Sequence, residues 1–259
     1  MLKVNGIEIK QNHFPAGELF IKLPLQKKDS IINIEWLYEN DAELFTLICI
    51  RRHFQNYECH LYLPYVGHAR MDRVKNNDDV FTLKYFCEVI NSLKFDVVHV
   101  RDAHSNVGLA LLNYVCQESV NSYIHQAMLE SGAEALFFPD EGAMKRYSEH
   151  ATIPYAFGMK KRDWETGKIL GLDIINADVI KGKNILIVDD ICSRGGTFYH
   201  SAKALKEAGA ANISLYVTHL EETVLIGDLP ESGLIDHIYT TKSIFPEGAY
   251  QGNWITILD

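Results

Sequence analysis

The sequence lacks most of the short signatures that name a chemistry outright. Gly167-Lys168 and Gly182-Lys183 are not followed by Ser or Thr, so there is no P-loop. No G-x-G-x-x-G, H-E-x-x-H or G-x-S-x-G is present. This excludes the usual dinucleotide turn, the zinc-protease helix and the nucleophile elbow. Cysteine is sparse and odd in number: Cys49, Cys59, Cys87, Cys116 and Cys192, with no C-x-x-C pair. That argues against a disulfide framework and for a reduced, cytoplasmic setting. The opening M-L-K-V-N-G-I-E-I-K has no apolar signal core, and no apolar run is long enough to cross a bilayer. Positive charge is also short. Lys and Arg number 25 against 34 Asp and Glu, a net charge of -9, which disfavours a nucleic-acid surface but leaves room for a local basic pocket.

What is present is an ordinary globular mixture over 259 residues, enough for one large domain or two smaller ones. Apolar runs alternate with helical patterns. Strands are expected at 6–10, 19–23, 31–37, 59–63 and 95–100, then at 134–138, 154–159, 185–190, 213–217, 235–240 and 254–258. Helices are expected between them, including one over 41–57 with Phe45, Ile48 and Phe54 inward and Arg51 and Arg52 outward. Strand–helix alternation implies mainly parallel sheets covered on both faces. Two such series, with no Pro-, Gly- or Ser-rich linker between them, imply two α/β domains, 1–120 and 121–259. In such sheets ligands sit at the carboxyl ends of the strands.

The most informative stretch is Ile185 to Phe198, I-L-I-V-D-D-I-C-S-R-G-G-T-F. It reads as a doubly buried strand, two adjacent carboxylates, a glycine turn and a helix start. The turn and helix start would aim backbone N–H groups at an anion. The carboxylates Asp189 and Asp190 can accept hydrogen bonds from sugar hydroxyls or hold Mg²⁺. A phosphorylated sugar asks for both at once. The stretch resembles the sugar-phosphate fingerprint of the type I phosphoribosyltransferase fold. The resemblance implies that Asp189 and Asp190 hold ribose hydroxyls, and that Ser193, Arg194, Gly195, Gly196 and Thr197 wrap the 5-phosphate.

A second stretch, L-P-Y-V-G-H-A-R-M-D-R from Leu63 to Arg73, resembles the signature of ribose-phosphate pyrophosphokinases, whose chains are two tandem phosphoribosyltransferase-like domains. This implies ATP contacts from Arg70, Asp72 and Arg73. Met71 stands where that family commonly has glutamine. Other positions follow in order. Phe14-Pro15-Ala16-Gly17-Glu18 is similar to the family's F-x-x-G-E turn, which reaches a neighbouring subunit's ATP site. That implies ATP-binding roles for Phe14, Gly17 and Glu18 and a homo-oligomer. Asp102-Ala103-His104 is similar to its D-x-H, implying ATP and Mg²⁺ contacts from His104. Pro139-Asp140-Glu141-Gly142 is similar to the loop whose aspartate is a second metal contact, here Asp140. Lys160-Lys161-Arg162 is similar to the catalytic loop's K-x-R, implying catalytic roles for Lys160 and Arg162, with 163–167 as a lid.

The resemblance therefore implies an ATP-dependent, Mg²⁺-requiring transfer of diphosphate to the anomeric hydroxyl of a ribose phosphate, with AMP released. The 5-phosphate turn departs from the family's Asp-Thr-Ala-Gly-Thr. Here Ser193-Arg194-Gly195-Gly196-Thr197 carries one negative charge fewer and one positive more. Two acceptors stay open on this reading: ribose 5-phosphate, and a more anionic 5-substituted ribose such as ADP-ribose, which would serve NAD salvage. A phosphoribosyltransferase using PRPP and a non-catalytic regulator are the alternatives. The regulator is disfavoured because His104, Asp140, Lys160 and Arg162 are all present. A nucleic-acid or membrane partner is not expected.

Overall fold

A computed structural model describes residues 1–26, 30–162 and 169–258. The chain divides into two compact units, Met1–Ser119 and Val120–Asp259. No helix among the described residues is long and apolar enough to cross a membrane.

The first unit opens with β1 (Leu2–Val4) and β2 (Ile7–Glu8), an antiparallel pair whose two-residue turn is Asn5-Gly6. Both turn residues have positive φ, 48° and 78°, the geometry that Asn-Gly accommodates in tight hairpins. A separate small hairpin follows, β3 (Asn12–His13) and β4 (Leu19–Phe20). Then come β5 (Ile32–Trp36), α1 (Glu43–His53), β6 (Cys59–Leu63), α2 (Thr82–Ser92), β7 (Val97–Arg101), α3 (Asn106–Leu111) and β8 (Val115–Glu118). The sheet order is β2-β1-β5-β6-β7-β8, with β5 to β8 parallel. Right-handed crossovers taken always in one direction put α1, α2 and α3 on the same face. Burial follows: Ile32, Ile34, Trp36, Leu61, Leu63, Val98 and Val100 are buried, while Glu35, His60, Tyr62 and His99 on the alternate face are half-exposed. This sheet is thus covered by its own helices on one face, not two.

In α1 the sequence expectation fails in detail. Phe45 is 60% exposed and Arg51 is buried. Arg51 donates to the carbonyls of Phe54 (3.1 Å) and Lys94 (2.7 Å), so its charge does structural work that a hydropathy pattern reads as a surface residue.

The second unit contains α4 (Asn121–Ser131), β9 (Ala135–Phe138), α5 (Glu141–Tyr147), β10 (Tyr155–Arg162), β11 (Ile169–Ile175), β12 (Ile185–Cys192), α6 (Gly196–Glu207), β13 (Ile213–Leu220), α7 (Leu229–Ser232), β14 (His237–Thr241) and β15 (Ile255–Leu258). Short 3₁₀ turns lie at Ser148–His150, Ala177–Val179 and Glu222–Ile226. The seven-stranded order is β11-β10-β9-β12-β13-β14-β15, parallel except for the β10–β11 pair. The direction of winding reverses between β9 and β12. Alternate residues feed two cores. Phe137, Ile185, Ile187, Leu215 and Val217 pack with Phe198, Ala202 and Leu205 of α6. Leu136, Phe138, Leu186, Val188 and Tyr216 pack with Ile124 and Met128 of α4 and Tyr147 of α5. A strand buried on both faces needs this unbroken apolar run.

Beyond the expected strands, the second unit contains β11, and β10 runs on through Arg162. The first unit gains β1, α3 and β8.

Candidate active site

In the second unit, the reversal between β9 and β12 opens a crevice at the carboxyl ends of both strands, where doubly wound sheets take their ligands. β9 exits into Asp140, and β12 carries Asp189 and Asp190. Asp140 caps α5: its Oδ1 accepts from the backbone N–H of Gly142 (3.0 Å) and Ala143 (3.1 Å). That fixes the helix start. The last turn of α5 holds Arg146, whose Nη1 lies 3.5 Å from Oδ2 of Asp190. Period-two alternation explains the pairing: Asp190 follows Leu186 and Val188 onto the α5 face, and Asp189 follows Ile185 and Ile187 onto the α6 face.

Asp190 is 5% exposed. The Asp189 carboxyl is held well above the ordinary carboxylate range, first by loss of hydration, then by repulsion from Asp190, with a smaller push from Asp140. Three carboxylates thus share one crevice. Cys192, at the end of β12, is buried, and its thiol is pushed up by burial and by the charges of Glu221 and Asp189. It remains a packing residue.

The turn after β12 leads directly into a helix start, a geometry able to receive an anion. Gly195 sits in the left-handed region with φ of 83° and is the N-cap of α6. It has no side chain to cap the first-turn N–H groups, which are left to a ligand. Arg194, Gly196 and Thr197 are exposed, and Ser193 is half-buried. Further along, Thr241 Oγ1 (2.9 Å), Ser243 Oγ (3.1 Å) and Thr240 Oγ1 (3.4 Å) converge on the carbonyl of Thr218, tying the ends of β13 and β14 together. Lys160 and Arg162 lie on β10, in register with Leu172 and Ile169 of β11, with an irregularity between Lys161 and Arg162. The expected lid, 163–167, lies outside the described residues.

In the first unit the loops after β5, β6 and β7 leave one edge of the parallel sheet. His68 has φ of 62° and is gripped by three neighbours that sequence reasoning missed. Its Nε2 is 2.8 Å from Asp41 Oδ1, which also accepts from Tyr38 Oη at 2.7 Å. Its ring lies 5.5 Å from that of Phe86 and 6.2 Å from that of Tyr38. Asp41 is held below the ordinary carboxylate range, first by the Tyr38 hydrogen bond and then by His68. Arg73 Nε pairs with Asp72 Oδ1 at 3.1 Å while the Arg73 side chain is 70% exposed, and Arg70 is exposed as well. Asp102 is buried at 2% exposure yet has φ of 45°. A non-glycine residue in that region at a strand exit marks a loop fixed by its surroundings. His104 follows it, half-exposed. In the β3–β4 hairpin Phe14 and Phe20 meet at 5.5 Å and stay 53% and 42% exposed. Gly17 (φ 90°) closes the turn by donating to Phe14 O at 2.8 Å, and Phe14 N–H donates to Glu18 O at 2.9 Å.

The donor types suit Mg²⁺. Asp140, Asp189 and Asp190 offer hard oxygens in a crevice whose negative charge is incompletely offset. No group of three or more His, Cys, Asp or Glu among the described residues is disposed to hold a metal by protein ligands alone.

A model of the phosphoribosyl transferase domain matches residues 144–232, from within α5 through the acid pair and turn to α7. The ribose-phosphate pyrophosphokinase of Pyrococcus furiosus is 27% identical over 229 residues, covering 83% of this chain and 78% of that protein. Ribose-phosphate pyrophosphokinase 2 of Archaeoglobus fulgidus is 28% identical over 250 residues, covering 92% and 85%. Among solved structures, phosphoribosylpyrophosphate synthetase from Mycobacterium smegmatis superposes with a TM-score of 0.76 at 17% identity, over 97% of this chain and 85% of that one. The fold is therefore that of tandem phosphoribosyltransferase-like proteins. Within that class the chain is ribose-phosphate pyrophosphokinase-like along most of its length.

Proposed function

We propose that this chain transfers the β,γ-diphosphate of ATP to the anomeric hydroxyl of a 5-phosphorylated ribose and releases AMP. The observation that carries this over a PRPP-consuming transferase is that the pyrophosphokinase likeness runs through both units, covering 83% of the chain. The acid pair and the uncapped start of α6 support the acceptor half. The exposed arginines of the Arg70–Arg73 loop and the exposed Phe14 support the donor half.

In the reaction the acceptor oxygen forms a bond to the β-phosphorus, and the bond from that phosphorus to the α,β-bridging oxygen breaks. AMP leaves with the bridging oxygen, and the proton of the anomeric hydroxyl is lost to solvent. Catalysis of this kind is positioning and charge stabilisation. Asp189 and Asp190 accept from the ribose hydroxyls and orient the sugar. The N–H groups of the turn and α6 receive the 5-phosphate, with Ser193 and Thr197 beside them. Arg70, Asp72 and Arg73 hold the nucleotide, helped by Phe14, Gly17 and Glu18 from the hairpin of a neighbouring copy in a homo-oligomer. Lys160 and Arg162 supply positive charge to the transferring group. Asp140 and His104 are the residues that would hold Mg²⁺, which would supply charge neutralisation to the polyphosphate.

One observation favours a finer reading. Arg194, exposed at the turn, adds a cation where the family has none, which suits an acceptor with a second phosphate such as ADP-ribose. ³¹P NMR with ATP, Mg²⁺ and each acceptor tests both readings. Appearance of AMP with a diphosphorylated sugar is expected. Turnover confined to ribose 5-phosphate rejects the finer reading, and pyrophosphate release from PRPP plus a base rejects the kinase. Lys160→Ala is expected to lower kcat by about a hundredfold or more while leaving the melting temperature unchanged.

A further inference from the structure

The acceptor turn does not stand alone. Its backbone is wedged against the segment that follows β13. A Cβ placed on Gly195 would sit 2.6 Å from Leu229 Cγ, so Leu229, at 1% exposure, fills the space behind the turn. A Cβ on Gly227 would collide with the carbonyl oxygen of Arg194 and lie 2.9 Å from its carbon. The two segments are therefore in backbone contact. On the near side, Glu221 N–H donates to the Cys192 carbonyl at 2.8 Å. Ser193 Oγ lies 3.2 Å from Thr223 Oγ1, and Thr223 Oγ1 donates to Glu221 Oε2, also at 3.2 Å. Contacts thus back Cys192, Ser193, Arg194 and Gly195 in succession, all from 221–229.

We propose that Thr223, Gly227 and Leu229 are positioning residues. They hold the turn in the conformation that aims its N–H groups at the acceptor's phosphate, and so set acceptor affinity rather than chemistry. The Ser193–Thr223–Glu221 chain fixes the entry to the turn, and Leu229 and Gly227 fix its left-handed centre. An anion site made of backbone N–H groups depends on such external support, because the N–H directions follow the backbone torsions.

This inference rests on the acceptor reading above, and the test separates the two. Thr223→Val removes the hydroxyl at constant shape, and Thr223→Ser restores it. Leu229→Ala removes the wedge. Thr223→Val is expected to raise the acceptor KM by about fivefold, the worth of one neutral hydrogen bond, and Leu229→Ala by about tenfold or more. The kcat and the KM for ATP should stay within about twofold, and Thr223→Ser should recover the wild-type acceptor KM. Calorimetric binding of ribose 5-phosphate, and of ADP-ribose, gives a readout independent of turnover, and should weaken by the same factors. Unchanged acceptor affinity in Thr223→Val and Leu229→Ala, or equal losses for ATP and acceptor, overturns the proposal while leaving the activity standing. Wild-type protein that binds neither acceptor overturns both.

Discussion

At the scale of residues, the acid pair shows function opposing stability. Asp189 binds a proton more tightly in the folded chain than in the unfolded one. Between the ordinary aspartate value, about 4, and its raised value in the fold, unfolding releases a proton. Rising pH through that window therefore favours unfolding. Asp189→Asn should then raise the stability of metal-free protein at neutral pH by roughly 0.5–2 kcal/mol and flatten its fall between acid and neutral pH. The same variant should lose acceptor binding. Thermal melts across pH, beside calorimetry, check both halves; a destabilised variant would show that the pair is not under repulsive load. Arg146 is the counterpart. Arg146→Met leaves Asp190 buried without this cation and should cost roughly 2–4 kcal/mol in urea unfolding, whereas Arg146→Lys should restore part of it. The acid pair was legible because two adjacent carboxylates at the end of an apolar run are hard to reconcile with packing alone. Arg146, Asp41 and Tyr38 were not, since each acts through a contact between distant stretches that no local pattern encodes.

At the scale of elements, what could be read depended on length and contrast. β12 and α6 announce themselves by a long apolar run and a 3.6-residue stripe. β8 and α3 are only four and six residues long, so their period barely repeats. β11 forms because the chain returns along β10 to complete an edge pair, a tertiary cause. The strand β1 had a signal, Asn5-Gly6, but its flanking strands are too short to stand out. The burial of Arg51 and the exposure of Phe45 show pattern reading overruled by carbonyl groups needing a donor. The loop after β6 offers an element-scale test. Gly67 carries no side chain where a Cβ would lie 2.9 Å from Tyr38 Cε2 and 3.2 Å from Phe86 Cε2. Both rings also pack on His68. Gly67→Ala should push this aromatic clamp apart, costing about 1–3 kcal/mol, and should raise the KM for ATP more than that for the acceptor. Chemical denaturation and initial rates read the two effects separately, and equal effects on both substrates would break the link between this loop and the nucleotide.

At the scale of the whole molecule, the two units repeat one architectural idea with different coverings. The second is sealed on both faces and reverses its winding, which creates a crevice. The first winds in one direction and places the loops after β5, β6 and β7 along one end of its parallel strands. On the proposed function, acceptor binding falls to Val120–Asp259 and nucleotide binding to Met1–Ser119. Hydrogen exchange followed by mass spectrometry can test it. A ligand that binds only the folded state suppresses opening of the segments it touches. Saturating acceptor alone should slow exchange in peptides spanning 189–199, and in 221–229 if that segment backs the turn. Saturating ATP with Mg²⁺ should slow exchange in 63–73 and 101–105, and in 12–20 where a second copy lends its hairpin. At a hundredfold excess over Kd, protection of about 2–3 kcal/mol is expected in the contacted peptides. ATP protection confined to 189–199, with 63–73 unchanged, would mean that the glycine turn takes the nucleotide and that the assignment of donor and acceptor to the two units must be exchanged.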